Sequence, residues 1–191
     1  MTTRRTQAER REATRSAVLD SAIRLFGRKG YAETSLEEIA AEAGVTIRPI
    51  YHYFGSKLDL FQATKDTMEE RIIETFETDD DGDLDAIALW RAFMALCEEP
   101  EFRRILLVDG PVVLGRERWS QTAVIGAVES LLASSPLGTQ TLSALAVRML
   151  VGALIEAALA IAESDDPART SAEAETLVAA IVAAADRPLA P

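Results

Sequence analysis

The side chains best suited to specific polar recognition are concentrated in Gly44–Phe54, which has the sequence GVTIRPIYHYF. This stretch contains three aromatic rings, the only histidine of the chain (His52) and a single positive charge (Arg48). Such side chains can hydrogen-bond and stack on an exposed recognition surface. They can equally form the apolar end of a buried helix. Their types alone leave both interpretations open.

Catalytic chemistry has little support in the residue types present. Cys97 is the only cysteine and His52 the only histidine, which excludes a disulfide framework, a cysteine-based zinc site and a His/Cys metal cluster. The sequence shows no nucleophile–base pair, phosphate-cradling glycine loop or metal-ligand spacing. We therefore expect no enzyme activity, no metal and no cofactor.

Charge is distributed unevenly along the 191 residues. Residues 1–60 carry ten Lys and Arg against eight Asp and Glu, whereas residues 61–191 carry ten against twenty-three. An acidic body repels phosphate, so any contact with nucleic acid should be confined to the amino-terminal part. The single cysteine, and the lack of an apolar segment after Arg4 and Arg5, predict a cytoplasmic protein.

Apolar periodicity and capping residues predict helices throughout the amino-terminal part. The predicted helices are Ala13–Gly30, about Leu36 to Ala43, Thr46–Phe54, and Lys57 to about Thr78. Either Thr34 with Glu37 or Ser35 with Glu38 forms a capping box before the second of these helices. Gly44 supplies the turn that follows it.

The remaining sequence also predicts helices, at about Leu84–Glu98, Glu101–Val108, Pro111 to about Ala133, Ala144–Ala162 and Ser171–Ala185. The acidic run TDDDGDL and the stretch SSPLG are predicted loops, and Asp109-Gly110-Pro111 is a predicted stop and restart. Ala144–Ala162 is apolar except for Arg148 and Glu156, so it is buried all round or spans a membrane. Two central charges are costly in a bilayer, which favours burial between subunits.

Two short helices joined by a glycine turn are either a helix-turn-helix or an ordinary αα-corner. The residue identities decide between them: LFGRKGYAETSLEEIAAEAGVTIRPIYHYFGSKLDLF closely resembles the DNA-binding region of the tetracycline-repressor (TetR) family. Further along, VDGPVVLGRERW (Val108–Trp119) resembles a segment found in one branch of TetR-type regulatory domains.

This resemblance implies an all-α fold of about nine helices. Residues 1–56 would form a three-helix helix-turn-helix DNA-binding domain, with a flexible arm over residues 1–12. Residues 57–191 would form a helical ligand-binding and dimerisation domain. The implied partners are a palindromic double-stranded DNA operator, an unknown small-molecule effector and a second copy of the chain, with no membrane.

The DNA-binding residues implied by the resemblance are Thr34, Ser35, Thr46, Ile47, Arg48, Pro49, Tyr51, His52, Tyr53 and Lys57. The chain departs from the family pattern at Arg48 and Pro49, where glycine and a small residue are common. Pro49 removes an amide that Thr46 could cap, so we expect the first turn of this helix to be distorted or to begin late. Arg48 is hypothesised to contact a guanine, with a phosphate contact as an equal alternative.

The ligand-pocket candidates are Trp90, Phe93, Met94, Cys97, Trp119, Arg148, Met149 and Glu156. For the apolar members of this set, plain core packing is the alternative, and Cys97 is either a redox sensor or inert packing. Arg148 and Glu156 either pair across the dimer or within the body, or face a polar group of the ligand. The dimer-interface candidates are Leu154, Leu159, Leu177, Val178, Ile181 and Val182. The expected function is a repressor released from its operator by a small molecule. The alternative is a DNA-binding regulator of the same fold that a protein partner controls or that has no small-molecule effector.

Overall fold

The computed structural model describes residues 6–76, 86–120, 122–134 and 144–185, and the regular structure in those ranges is entirely helical. The helices are α1 (Gln7–Lys29), α2 (Leu36–Glu42), α3 (Ile47–Phe54), α4 (Lys57–Phe76), α5 (Ala86–Glu98), α6 (Pro100–Phe102), α7 (Gly110–Ser120), α8 (Ala123–Ser134), α9 (Ala144–Glu163) and α10 (Pro167–Ala185). The expected all-α fold class is confirmed. The predicted loop TDDDGDL lies outside the described residues, as does most of SSPLG.

Helix α1 begins at Gln7, well before the predicted start at Ala13, because Thr6 and Glu9 form a capping box. The Thr6 hydroxyl oxygen accepts the Glu9 amide at 3.2 Å, and the Glu9 carboxylate accepts the Thr6 amide at 2.6 Å. The prediction of a flexible arm is therefore wrong for residues 7–12, which are helical. Residues 1–5 lie outside the described part of the chain.

The chain does not stop at Asp109-Gly110-Pro111 as predicted, because α6 continues through π-helical turns at Arg103–Asp109 directly into α7. Pro111 has no amide to donate, and wide turns just before it are a known way to accommodate a proline inside a helix. The backbone breaks instead at Gly115, whose φ of 69° and ψ of 169° are rarely adopted by residues with a side chain. That break lies within α7, and the one helix predicted from Pro111 to about Ala133 is two helices, α7 and α8.

Helix α10 begins at Pro167 rather than at Ser171. The Asp166 carboxylate accepts the Arg169 amide at 3.2 Å and so caps the first turn. Proline in the first turn costs the helix nothing, because amides there have no acceptor within the helix.

The packing of the chain divides it into two compact units. Unit 1 comprises Met1–Met68 with Glu99–Gln121, and unit 2 comprises Glu69–Glu98 with Thr122–Pro191. The functional division at residue 56 stays a prediction. The packing shows that the segment Glu99–Gln121, which is distant in sequence, belongs with the amino-terminal helices.

The core of unit 1 is built around three aromatic rings. The Phe26 and Phe61 rings meet edge to face with centroids 5.2 Å apart, and Tyr31 lies 5.1 Å from Phe61. Ile39 of α2 and Ile50 of α3 are completely buried. These contacts hold the two short helices in place, since neither is long enough to be stable alone.

The core of unit 2 contains Trp90 of α5, Ile161 of α9, and Ala174 and Val178 of α10. Each of these residues is less than a tenth exposed. The small Ala174 allows α10 to approach α5 and α9 closely.

Candidate nucleic-acid interface

Helices α2 and α3 and the turn between them form a helix-turn-helix whose start is set by Ser35 and Glu38. The Ser35 hydroxyl accepts the Glu38 amide at 3.1 Å, and the Glu38 carboxylate accepts the Ser35 amide at 2.9 Å. Of the two predicted capping boxes, the one at Ser35 is the one formed. The turn uses Gly44 at a φ of 68°, and the Val45 amide donates to the Ala40 carbonyl at 2.9 Å.

Glu38 also pairs with the ammonium of Lys29 at the end of α1. That hydrogen bond is the largest cause of a Glu38 pKa lowered to about 2, and the Ser35 amide contributes further. The start of α2 is therefore tied to α1 by a carboxylate that stays ionised far below its ordinary range.

Helix α3 presents the polar face expected of a helix that contacts bases. Ile50 is fully buried, whereas Tyr51 is 52% exposed and Arg48 and His52 are also exposed. The Arg15 guanidinium lies 5.5 Å from the Phe54 ring centroid and connects the end of α3 to α1. The predicted residues Ile47, Pro49 and Tyr53 on α3 are partly buried.

Helix α3 lacks the side-chain cap that α1, α2 and α4 possess. Thr46 has the extended backbone of a capping residue, with φ −81° and ψ 167°, but its side chain makes no capping hydrogen bond. The amide that it would accept belongs to residue 49, which is proline. The helix nevertheless starts at Ile47, so the expectation of a late start is wrong, and the exposed Thr46 hydroxyl is left available to a ligand.

Thr34 is buried, contrary to the prediction that it contacts DNA. The residue is 1% exposed, and its hydroxyl donates to the Gly30 carbonyl at 2.8 Å, with the Leu25 carbonyl at 3.2 Å. Its amide donates to the Tyr31 carbonyl at 3.4 Å. Thr34 therefore orders the connection between α1 and α2 from inside.

Lys57 opens α4 and lies over the ring of Tyr31, with the ammonium 4.2 Å from the ring centroid. Partial burial lowers the pKa of Lys57, while Glu33 and Glu38 oppose that shift. The first turn of α4 is capped by Ser56, whose hydroxyl accepts the Asp59 amide at 3.1 Å and donates to the Asp59 carboxylate at 2.6 Å. The cation thus lies at a capped helix start, where an anion is favoured.

Two residues of the VDGPVVLGRERW segment contact this same region. The Tyr31 amide donates to the Asp109 carboxylate at 2.8 Å. Arg118 donates to the Asp59 carboxylate at 2.8 Å. Sequence reasoning identified the segment but assigned these side chains no role, because no local pattern reports a contact between residues 78 positions apart.

The pocket candidates on α5 and α7 make packing contacts within their own units. Trp90 is 3% exposed, and Phe93 and Met94 pack against its cluster in unit 2. Cys97 is a buried free thiol. Trp119 belongs to unit 1, where its ring packs onto Gly110.

The pocket candidates on α9 do not join the Trp90 cluster. Arg148, Met149 and Glu156 are exposed on α9, and Met149 is 67% exposed. Helix α9 turns a different face, which includes Leu154 and Ala157, toward Trp90, and a ligand-pocket role for the three exposed residues stays a prediction.

The dimer candidates divide into two groups. Leu177 and Ile181 are 58% and 44% exposed on α10. Val178 is buried in the unit 2 core, Leu154 packs against that core, and Leu159 is partly buried. The side chain of Val182 lies outside the described residues. Only the exposed pair presents its side chains outward as an interface requires.

An open groove of about 480 Å³ lies within unit 1. Its lining residues are Arg24, Gly27, Arg28, Pro100, Glu101, Arg103, Arg104 and Val108. None of the predicted pocket residues lines it. Within the described ranges no group of three or more His, Cys, Asp or Glu residues could hold a metal ion.

The fold defines a helical protein of two compact units that carries a helix-turn-helix. Residues 18–64 match the model of the bacterial regulatory proteins of the tetR family, and residues 85–185 match the tetracyclin repressor-like C-terminal domain. Because the second match alone covers more than half of the chain, the protein belongs to the TetR family. Its relatives are transcriptional regulators rather than enzymes.

Individual relatives show where the similarity is concentrated. The HTH-type transcriptional regulator AcrR of Shigella flexneri is 46% identical over 71 residues, which are 37% of this chain and 33% of that protein. The regulator TtgW of Pseudomonas putida is 30% identical over 114 residues, 56% of this chain and 81% of that protein. The chain therefore spans about a third of the length of AcrR.

A solved TetR-family regulator from Pectobacterium atrosepticum superposes with a TM-score of 0.69 at 29% identity. The alignment covers 93% of this chain and 96% of that one. The similarity in fold thus extends well beyond the helix-turn-helix.

Proposed function

We propose that the protein is a sequence-specific DNA-binding transcriptional regulator in which α3 enters the major groove. The observation that carries this is the division of α3 into a buried anchor, Ile50, and an exposed face with Arg48, Tyr51 and His52. The major groove accommodates a helix and offers a distinct hydrogen-bond pattern for each base pair. Membership of the TetR family supports the same function.

Contacts to the DNA backbone are assigned to residues around this face. Thr46 has an exposed hydroxyl with no capping role, and Lys57 carries a cation at the start of α4. Backbone contacts orient a protein on DNA and carry no base information directly. The acidic residues of the chain lie mostly after residue 60, so these groups act where the sequence is least negative.

We further propose that the active form is a homodimer joined through α9 and α10. Leu145 and Met149 of α9 and Leu177 and Ile181 of α10 are large apolar side chains that are 44–67% exposed. Helix α9 has the length and apolarity of a membrane span over Leu145–Glu163, with only 17% of that window buried. A second copy covering this face would bury it and place two recognition helices on a near-palindromic operator.

Repression, with release by a small molecule, is the more specific part of the proposal. The match of residues 85–185 to the tetracyclin repressor-like C-terminal domain supports it. The protein has one form that binds the operator and one that does not. An effector would release DNA only to the extent that its affinity for the second form exceeds its affinity for the first. Control by a protein partner is the alternative.

The test is selection of bound fragments from a random pool of duplex DNA, followed by a search for compounds that release them. Enrichment of one near-palindrome is the expected result. If no sequence is enriched above the input pool, the proposed function is wrong. If an operator is found but no compound in a broad library releases it, whereas a cell extract protein does, the alternative replaces small-molecule release.

A further inference from the structure

The segment Glu99–Gln121 belongs to the C-terminal domain by sequence family but to unit 1 by packing. The C-terminal family model includes it within residues 85–185, whereas the packing groups it with Met1–Met68. Its close fit is visible at Gly27 of α1, where an added Cβ would lie 2.7 Å from the Glu101 Cα. Helix α1 and this segment are therefore in direct backbone contact.

Two polar contacts of this segment converge on the surroundings of Lys57. Asp109 accepts the Tyr31 amide at 2.8 Å, and the Tyr31 ring lies beneath the Lys57 ammonium at 4.2 Å. Arg118 donates to Asp59 at 2.8 Å. Asp59 in turn closes the Ser56 cap of the helix turn in which Lys57 is the first residue.

Asp109 and Trp119, the neighbour of Arg118, make further contacts within unit 1. The Arg104 guanidinium lies 3.7 Å from Asp109 Oδ2, the same oxygen that accepts the Tyr31 amide. The Trp119 ring packs against Gly110, leaving no room for a Cβ there, and lies 5.7 Å from the Lys65 ammonium. Four residues of the VDGPVVLGRERW segment thus make tertiary contacts within unit 1: Asp109, Gly110, Arg118 and Trp119.

We propose that Asp109 and Arg118 are positioning residues for the DNA phosphate contact made by Lys57. Asp109 fixes the ring on which the cation rests, and Arg118 fixes the capped turn from which the side chain extends. Neither residue touches DNA. Their loss weakens the grip on the DNA backbone equally for all sequences. This inference rests on the proposed function.

The test is a double-mutant cycle on operator affinity with the full-length chain, using Asp109→Ala, Arg118→Met and Lys57→Gln. Lys57→Gln should reduce the slope of log affinity against log salt by about 0.9, the value for one neutralised phosphate. Asp109→Ala and Arg118→Met should each lower affinity about three- to tenfold and reduce the same slope. In the Lys57→Gln background both effects should largely disappear.

Two control variants separate positioning from general damage. Asp109→Asn keeps an oxygen that can accept the Tyr31 amide, so it should restore most of the lost affinity. Arg91→Met removes an exposed ion pair with Glu175 in unit 2 and should leave operator affinity unchanged. Affinities are measured well below the melting temperature of each variant, which circular dichroism determines.

The inference is overturned if Asp109→Ala and Arg118→Met cost as much affinity in the Lys57→Gln background as in the wild type. It is also overturned if they change base preference rather than the salt slope. A wild-type protein that selects no operator would instead refute the proposed function, so the two failures are distinguishable.

Discussion

The Tyr31 amide donates a hydrogen bond to the Asp109 carboxylate across 2.8 Å, joining residues 78 positions apart in the chain. Tyr31 lies in the connection between α1 and α2, just before the helix-turn-helix. Asp109 ends the π-helical stretch that precedes α7. A backbone amide in a partly buried place needs an acceptor, and here a distant segment supplies it. The helix-turn-helix therefore depends on residues far outside its own sequence.

Gly110→Ala should destabilise the protein by about 1–3 kcal/mol, because a buried site without space must strain to admit a methyl group. The added Cβ would lie 2.6 Å from the Trp119 ring and 2.8 Å from the Ile105 carbonyl oxygen. Chemical denaturation followed by tryptophan fluorescence measures the effect. The matched control is Gly126→Ala in α8, where nothing lies within 4 Å. That variant should be neutral or more stable by up to about 1 kcal/mol. Equal effects at both positions would contradict the packing described for Gly110.

Pro49→Ala should stabilise α3 by about 0.5–1 kcal/mol, because it restores an amide that the Thr46 hydroxyl can cap. Thermal and urea unfolding measure the change. The control is Thr46→Ala, which should cost little stability in the wild type, where Thr46 caps nothing, and about 1 kcal/mol in the Pro49→Ala background. A large cost in the wild type would show that Thr46 has a structural partner after all.

Arg48→Ala should lower affinity for the selected operator about tenfold or more and relax preference at one base pair, as expected for loss of a bidentate contact to guanine. Binding is measured on the operator and on its single base-pair variants. Uniform loss on every sequence would instead assign Arg48 to a phosphate. The control is Arg28→Ala, which removes the same charge from an exposed position on α1.

Glu38 should make stability fall as the pH decreases below about 4.5, because its folded pKa of about 2 lies below the ordinary value of 4.5. A lowered folded pKa gives stability that is present above the unfolded pKa and is lost as pH falls toward the folded one. Melting temperatures of the wild type and Glu38→Gln from pH 6 to pH 3 test this. The difference between them should shrink toward acid pH. A constant difference would rule out ionised Glu38 as its source.

Leu177→Glu should convert a dimer into a folded monomer, because a charge on each side of a two-fold interface is desolvated and repelled. Light scattering measures the mass and circular dichroism checks the fold. Val112→Glu is the control, since Val112 is an 83% exposed apolar residue on α7, in the other unit of the chain. It should leave the mass unchanged. A Leu177→Glu protein that stays dimeric would move the interface elsewhere.

Features that depend on residues close together in the sequence could be predicted from the sequence. The turn at Gly44, the Ser35–Glu38 cap and the helical pattern of α9 could all be predicted from spacing. The Thr6–Glu9 cap carried the same signature and could have been predicted too. In contrast, Thr34 is buried where its hydroxyl donates to the Leu25 and Gly30 carbonyls, and no sequence pattern predicted that contact.

The candidate site shows the same division. The exposed face of α3 follows from its own sequence together with the family resemblance. The roles of Asp109 and Arg118 depend on tertiary contacts 78 and 59 positions away, which no local pattern encodes. The sequence of α9 likewise does not reveal which side of the helix packs against Trp90.

The membership of Glu99–Gln121 in unit 1 has a practical consequence for building chimeric regulators. Exchanging amino-terminal domains between family members at a boundary near residue 56 would separate Tyr31 from its acceptor Asp109, whereas Asp59 and Arg118 would stay together. A graft that carries residues 99–121 along with residues 1–68 preserves both hydrogen bonds. The module to transfer from this protein is thus discontinuous, made of two stretches of chain that pack together.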